Sequence, residues 1–145
     1  MATHKPVDIQ ELFGSLTPAE ENQRWEVVYT KPKREKKLAE FALNRQICYF
    51  LPMLDSIKKY KYRQIKFTKP IFPGYMFVKC TYSEKQTLVR SGHILTFLQI
   101  KNEQHFLEEL SQIYLIRVKG VELKKHNYIE EGTKVVIEKG NLKGL

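Results

Sequence analysis

Residues 69–78 constrain the fold most strongly, because two prolines and a glycine interrupt a run that otherwise has the composition of a β-strand. Proline removes a hydrogen-bond donor and glycine adds backbone freedom, so this segment has to bend. Strand alternation places Tyr75 and Phe77 on one face and Phe72 on the other, unless the bend at Pro73-Gly74 changes the register. One face must pack against helices. We therefore expect Tyr75 and Phe77 to form an exposed aromatic patch; burial of both faces is the alternative.

The excess positive charge of the chain is concentrated in residues 25–80. The net charge is +9 overall, and it divides into −2 over residues 1–24, +9 over residues 25–80 and +2 over residues 81–145. Aromatic residues lie among these charges, which is typical of a surface that binds a polyanion, most often nucleic acid. For any single lysine, a solvated surface position remains the alternative.

Composition excludes several classes of protein. A chain of 145 residues with 42% hydrophobic residues can build one compact domain with some additional chain at its ends. The two cysteines, Cys48 and Cys80, lack metal-site spacing, and the histidines are far apart in sequence. No motif pairs a nucleophile with a base, and no segment is apolar enough to be a membrane span or a signal peptide. We expect a cytoplasmic protein that is not an enzyme and has no metal, cofactor, membrane or small-molecule substrate as a partner.

The order of predicted elements indicates an α+β fold. Strands are expected at residues 25–29, 48–54, 70–80 and 94–100, and residues 55–69 suit a long exposed hairpin. Residues 33–45 predict an amphipathic helix with a basic N-terminal half, Ser83 begins a short helix, and Asn102 begins a longer one. This order predicts a mostly antiparallel four-stranded sheet with helices packed against it, as in a ferredoxin-like sandwich.

The chain divides into four segments. Residues 1–23 form an N-terminal arm with two short helix-start signals, which either packs on the domain or stays mobile. The main domain covers residues 24–117, and residues 118–130 form a charged linker. Residues 131–145 contain one strand and a glycine turn, which cannot bury a core of their own, so we expect the start of a truncated second domain.

Four segments together resemble the NusG family of transcription elongation factors: residues 25–29, 33–38, 69–78 and 132–144. The central one is similar to the family's Phe-Pro-x-Tyr signature, and the last is similar to the start of its KOW motif. Residues 29–31, residues 48–52 and the N-terminal arm resemble the specialised paralogues of the RfaH and UpxY type.

The resemblance implies an NGN domain that docks on the clamp helices of RNA polymerase and suppresses pausing and termination, with an operon-specific role. The residues that it places on the polymerase-binding surface are Tyr29, Phe72, Tyr75 and Phe77. Those that it places near the non-template DNA strand are Lys31, Lys33, Arg34, Lys37, Arg90 and His93. The alternative is a free-standing single-stranded nucleic-acid-binding module, since a sheet displaying aromatics beside lysines also describes a base-stacking platform.

Overall fold

The computed structural model describes residues 9–119, which form an α+β fold of seven strands and three helices. In chain order the elements are β1 Leu12–Phe13, β2 Gln23–Thr30, α1 Glu35–Asn44, β3 Cys48–Phe50, β4 Met53–Lys59, β5 Gln64–Pro70, β6 Tyr75–Thr81, α2 Tyr82–Val89, β7 Ile94–Gln99 and α3 Glu103–Lys119.

The main sheet is antiparallel throughout, with the strand order β1-β3-β6-β2-β7. The predicted α+β class is confirmed, but the sheet has five strands rather than four. The additional strand, β1, comes from the N-terminal arm and pairs with the edge of β3. Strands β4 and β5 pair only with each other, in register from Met53 opposite Pro70 to Lys59 opposite Gln64, and form the predicted hairpin.

Helices cover both faces of the main sheet. Along β2, Trp25 and Val27 point into one hydrophobic cluster while Val28 points into the other, as the two-residue period of a strand requires. We call the first cluster the α3-side core and the second the α1-side core. The α3-side core also contains Phe50, Phe72, Phe77, Leu98, Phe106, Leu107, Leu110 and Ile113. The α1-side core also contains Leu38, Ala39, Ala42, Ile47, Tyr49, Leu51, Met53, Met76, Val78, Cys80 and Leu88.

Helix α2 begins earlier than the sequence predicted. Thr81, not Ser83, is its N-cap: the Thr81 hydroxyl accepts a hydrogen bond from the Glu84 N–H at 3.1 Å, and the Glu84 carboxylate accepts from the Thr81 N–H at 3.0 Å. This reciprocal pair is a capping box. It starts the helix directly at the end of β6, which fixes the angle between strand and helix.

The described part of the N-terminal arm, residues 9–22, packs on the domain and contains no helix, so its helix-start signals were misleading. The indole N–H of Trp25 donates to the Thr17 carbonyl at 2.8 Å. The carboxylate of Glu11 forms an ion pair with Arg117 of α3, with Nη2 of Arg117 2.6 Å from Oε2 of Glu11. Partners elsewhere in the domain therefore override local helix propensity, which is a weak determinant over so few residues.

Helix α3 continues through Lys119, so the first two residues of the predicted linker are helical. The rest of that linker and the predicted KOW segment, residues 131–145, lie outside the described residues. Among residues 9–119, no helix is both long enough and apolar enough to cross a membrane.

Candidate functional site

Residues 72–75, with the sequence Phe-Pro-Gly-Tyr, form a tight turn, and both Phe72 and the nearby Phe77 lie inside the protein. The Tyr75 N–H donates to the Phe72 carbonyl at 3.0 Å, and this turn brings Phe72 to the same face of the sheet as Phe77. Both side chains are 1% exposed, and their ring centroids lie 5.6 Å apart. The Phe77 ring also lies 5.4 Å from Phe106 of α3.

The expected exposure of Phe77 is therefore wrong, because α3 covers the face that was predicted to stay open. Strand alternation correctly separated Phe77 from Met76, but it could not show that each face has a covering helix. The bend does re-aim Phe72, but toward the core. Neither phenylalanine can contribute to a docking surface in this conformation.

The two tyrosines of the predicted polymerase-binding set remain accessible and form one feature. Tyr29 of β2 and Tyr75 of β6 are cross-strand partners, and their rings stack with centroids 5.1 Å apart at an interplanar angle of 27°. Tyr29 is 39% exposed and Tyr75 is half-buried. We call these residues the tyrosine pair. Stacking restricts both rings, so the pair offers a preformed aromatic surface at the end of the sheet.

Gly74 lets the turn approach the tyrosine pair closely. Its φ angle is +89°, a conformation that residues with a side chain rarely adopt. A Cβ atom at this position would lie 3.3 Å from Cε1 of Tyr29, closer than an ordinary van der Waals contact. The absence of a side chain at Gly74 therefore contributes to the position of the Tyr29 ring.

Glu35 holds the same turn from the other side. It is the first residue of α1 and is 7% exposed, and its carboxylate accepts a hydrogen bond from the Gly74 N–H at 2.7 Å. The Gly74 carbonyl in turn accepts from the Thr30 N–H at 2.8 Å. A carboxylate in the first turn also favours the helix dipole. The turn is thus fixed to α1 and β2 by charge-assisted and backbone hydrogen bonds.

Sequence reasoning did not identify Glu35 as a structural element of this site. Its signal was present, however, because it is the one acidic residue within the strongly basic segment 31–37. In the structure this single carboxylate accepts a hydrogen bond from the Gly74 N–H, and its charge makes that bond stronger than one to a neutral acceptor.

Four of the predicted nucleic-acid-binding residues meet at the junction between β2, α1 and the turn before β7. The guanidinium of Arg34 lies 3.1 Å from Nδ1 of His93, and the Lys31 N–H donates to the His93 carbonyl at 2.9 Å. Lys37 lies close enough to act on His93 electrostatically. We call Lys31, Arg34, Lys37 and His93 the basic junction. The junction lies next to the tyrosine pair, since only Thr30 separates Lys31 from Tyr29 along the chain.

His93 is held in its neutral form within this junction. Partial burial lowers its pKa below the ordinary value of 6.5, and the positive charges of Arg34, Lys37 and Lys31 lower it further. Arginine can only donate hydrogen bonds, so Nδ1 of His93 accepts and the neutral ring carries its proton on Nε2. The Nε2–H is then the remaining donor of the ring.

The remaining two residues of the predicted set lie beside the junction. Lys33 is exposed in the turn before α1, where its φ angle of 60° is left-handed. Arg90 is exposed at the C-terminal cap of α2 and takes no part in the contact between Arg34 and His93. Both cations add positive charge to this end of the domain.

The family comparison identifies the domain that carries these residues. A family model described as "Transcription termination factor nusG" matches residues 23–118, which begins with β2 and ends one residue before the end of α3. A search of curated proteins finds no match. Members of the family are transcription factors that bind RNA polymerase rather than enzymes. The fold and the family match, which covers about two thirds of the chain, establish that the protein belongs to the NusG family and is a transcription elongation or antitermination factor.

Proposed function

We propose that the tyrosine pair docks on the clamp helices of RNA polymerase while the basic junction faces the non-template DNA strand, and that the factor thereby suppresses pausing and termination. The observation that carries the proposal is the stacked and accessible pair of Tyr29 and Tyr75 directly beside the basic junction. Buried aromatic anchors carry much of the energy of protein interfaces, and cations beside them would meet the polyanion.

The proposed activity follows from differential binding. A factor that contacts both the clamp and the DNA binds best when these two lie in the arrangement of an elongating complex. It can shift the polymerase away from the paused state only by the difference between its affinities for the two states. A site held in one geometry distinguishes better between two arrangements of clamp and DNA. The hydrogen bonds that join Gly74 to Glu35 and to Thr30 hold the turn in one geometry.

An operon-specific role, like that of the RfaH and UpxY paralogues, is part of the proposal and rests on the resemblance of residues 29–31, residues 48–52 and the arm. We also propose that residues 131–145 begin a KOW domain. The operon-specific role predicts that the effect on pausing depends on the leader sequence transcribed. Pausing assays on several leader templates with one polymerase preparation test this, and equal effects on every template would contradict it.

The alternative of a free-standing module that stacks bases on its sheet has less support. The α3-side and α1-side cores cover the two faces of the main sheet, so neither face offers a stacking platform in the described part of the chain.

The docking proposal is tested by recovery of core RNA polymerase on the immobilised full chain. Tyr29→Ala removes the more exposed ring, and Tyr29→Ala/Tyr75→Ala removes the pair. We expect an affinity loss of roughly tenfold or more for the double variant, the range of interface anchors. Tyr82→Ala is the matched control, because Tyr82 is 77% exposed on α2, away from the pair.

Two further measurements make the outcome decisive. Urea unfolding of each variant shows whether the fold is retained, and the single variant serves if the double variant is unstable. Wild-type recovery should resist added salt more strongly than binding to nucleic acid alone does, because apolar contacts are not screened. Equal recovery of polymerase by folded Tyr29→Ala and wild type would contradict docking through this pair.

A further inference from the structure

The tip of the β4–β5 hairpin is a strongly basic and aromatic surface that the tyrosine pair and basic junction do not include. Residues 58–66 contain five cations and no carboxylate. Asp55 is the one acidic residue between Met53 and Pro70, and Arg117 binds its carboxylate at 3.2 Å near the base of the hairpin. The tip therefore presents uncompensated positive charge.

Two tyrosines at the tip are exposed among these cations. Tyr62 is 87% exposed, the highest fraction of any large hydrophobic side chain in residues 9–119, and Tyr60 is 45% exposed. The ammonium of Lys61 lies 5.4 Å from the centre of the Tyr62 ring. The charges of Lys58 and Arg63 lie 5.6 Å and 5.5 Å from the centre of the Tyr60 ring.

A purely structural role does not account for Tyr62. A ring that supports folding loses its exposure by packing, as Phe77 does at 1%, whereas Tyr62 is almost fully in water. The cation beside the ring belongs to Lys61, the adjacent residue, so this contact does not join Tyr62 to a distant part of the chain. The loop itself is closed by the backbone, since the Tyr60 N–H donates to the Arg63 carbonyl at 2.7 Å.

The hairpin holds its tip away from the main sheet. Its two strands pair only with each other over seven residue pairs, so the tip extends about 20 Å beyond the base at Met53 and Pro70. The base of the hairpin, where Arg117 binds Asp55, therefore lies more than the Debye length of roughly 8 Å from the tip, so the Asp55 carboxylate does not neutralise the charges at the tip.

We propose that the hairpin tip is a second nucleic-acid contact that binds a single-stranded polynucleotide, with unpaired bases stacking on Tyr62 and Tyr60 and phosphates meeting Lys58, Lys59 and Arg63. Exposed rings interleaved with cations match the two chemical features of single-stranded nucleic acid, its free base faces and its regular charge. A duplex hides its base faces, so exposed rings favour the single strand. The proposal does not depend on polymerase docking.

The test is fluorescence anisotropy of the full chain with labelled oligothymidylate and oligouridylate of about 12 nucleotides, a length within known site sizes. We expect Tyr62→Ala to lose about 5- to 150-fold in affinity, the range found for one stacked base. Tyr62→Phe should retain most of the affinity, because the ring remains. Tyr82→Ala, which removes another highly exposed tyrosine from α2, should bind as wild type does.

A second series separates stacking from charge. Lys58→Gln/Lys59→Gln should weaken binding and lower the slope of log affinity against log salt by about 0.7 for each lost phosphate contact. Lys101→Gln, at an exposed cation outside the hairpin, is the charge control. Comparison of the two oligonucleotides shows whether the site prefers DNA or RNA, and a hairpin duplex of equal charge serves as the competitor.

Several results would overturn the proposal. These are no binding by wild type at low salt, unchanged affinity of Tyr62→Ala, an equal loss in Tyr82→Ala, or preference for the duplex. If the Lys58→Gln/Lys59→Gln variant loses affinity but Tyr62→Ala does not, the tip binds nucleic acid through its positive charge alone. The proposed stacking of bases on Tyr62 is then wrong. Because no polymerase is present, these outcomes leave the docking proposal untouched, and recovery of polymerase by Tyr62→Ala can be measured separately.

Discussion

The hydrogen bond from the Gly74 N–H to Glu35 gives the sharpest test of how the site is held. In Glu35→Ala the N–H loses an acceptor that lies 2.7 Å away and is 7% exposed. A hydrogen bond to a charged group contributes about 1.5 to 3 kcal/mol, and a carboxylate in the first helical turn adds roughly 0.3 to 1 kcal/mol. Removing Glu35 also removes the free-energy cost of burying its charged carboxylate, which offsets part of this loss. We expect the free energy of unfolding to fall by about 2 kcal/mol.

Urea denaturation measures this change. With a slope of about 1 to 3 kcal/mol per molar, the midpoint should fall by roughly 1 M. Glu35→Gln keeps an acceptor oxygen without the charge and should lose about half as much. Glu40→Ala, at an exposed position on the same helix, is the matched control and should stay within about 0.5 kcal/mol of wild type.

The functional consequence is measured on the folded variant. Loss of the bond frees the turn that carries Tyr75, so Glu35→Ala should reduce polymerase recovery under conditions where the protein remains folded. A change in unfolding free energy no larger than that of Glu40→Ala would refute the reasoning, because a partly buried N–H that loses a charged acceptor should lower the stability.

Three further predictions concern the same region. Phe77→Ala should lower the free energy of unfolding by about 3 to 5 kcal/mol in urea denaturation, and a loss under about 1 kcal/mol would mean that the ring is not in the core. Gly74→Ala should destabilise by roughly 1 to 2 kcal/mol from its positive φ angle and should displace Tyr29, seen as altered near-ultraviolet circular dichroism; an unchanged spectrum and midpoint would contradict the close approach. Because the pKa of His93 is lowered in the folded state, the unfolded state binds more protons below pH 6.5. Stability should therefore fall as the pH drops below that value, until His93 is protonated in the folded state too, and His93→Gln should remove this part of the slope. A slope unchanged in His93→Gln would show that Arg34 and its neighbours do not hold the ring neutral.

The sequence was sufficient for the fold class and for most elements, because these depend on local patterns. The three-to-four spacing of Leu38, Ala39 and Ala42 predicted α1, and all three lie in the α1-side core. The alternating cations and aromatics of residues 55–69 predicted the hairpin. Packing of the arm on the domain was one of the two expected outcomes, but its partner could not be predicted, because Glu11 binds Arg117 of α3, more than 100 residues away in sequence.

The candidate site was only partly predictable for a related reason. Composition located the basic junction, since charge can be counted along the chain, but the contact between Arg34 and His93 joins residues 59 positions apart. The exposure of the aromatics could not be read from alternation. Tyr75 and Phe77 follow the same pattern, yet Phe77 lies under α3 and Tyr75 stacks with Tyr29 at the end of the sheet.

The sequence by itself therefore determined the α+β class, the bend at Pro73-Gly74 and the position of the positive charge, because periodicity, proline chemistry and charge are properties of short segments. Only the tertiary structure decided which aromatic side chains face water. Burial depends on what packs against a residue from elsewhere in the chain, and here α3 covers Phe72 and Phe77, whereas the stacked tyrosines at the sheet end remain accessible.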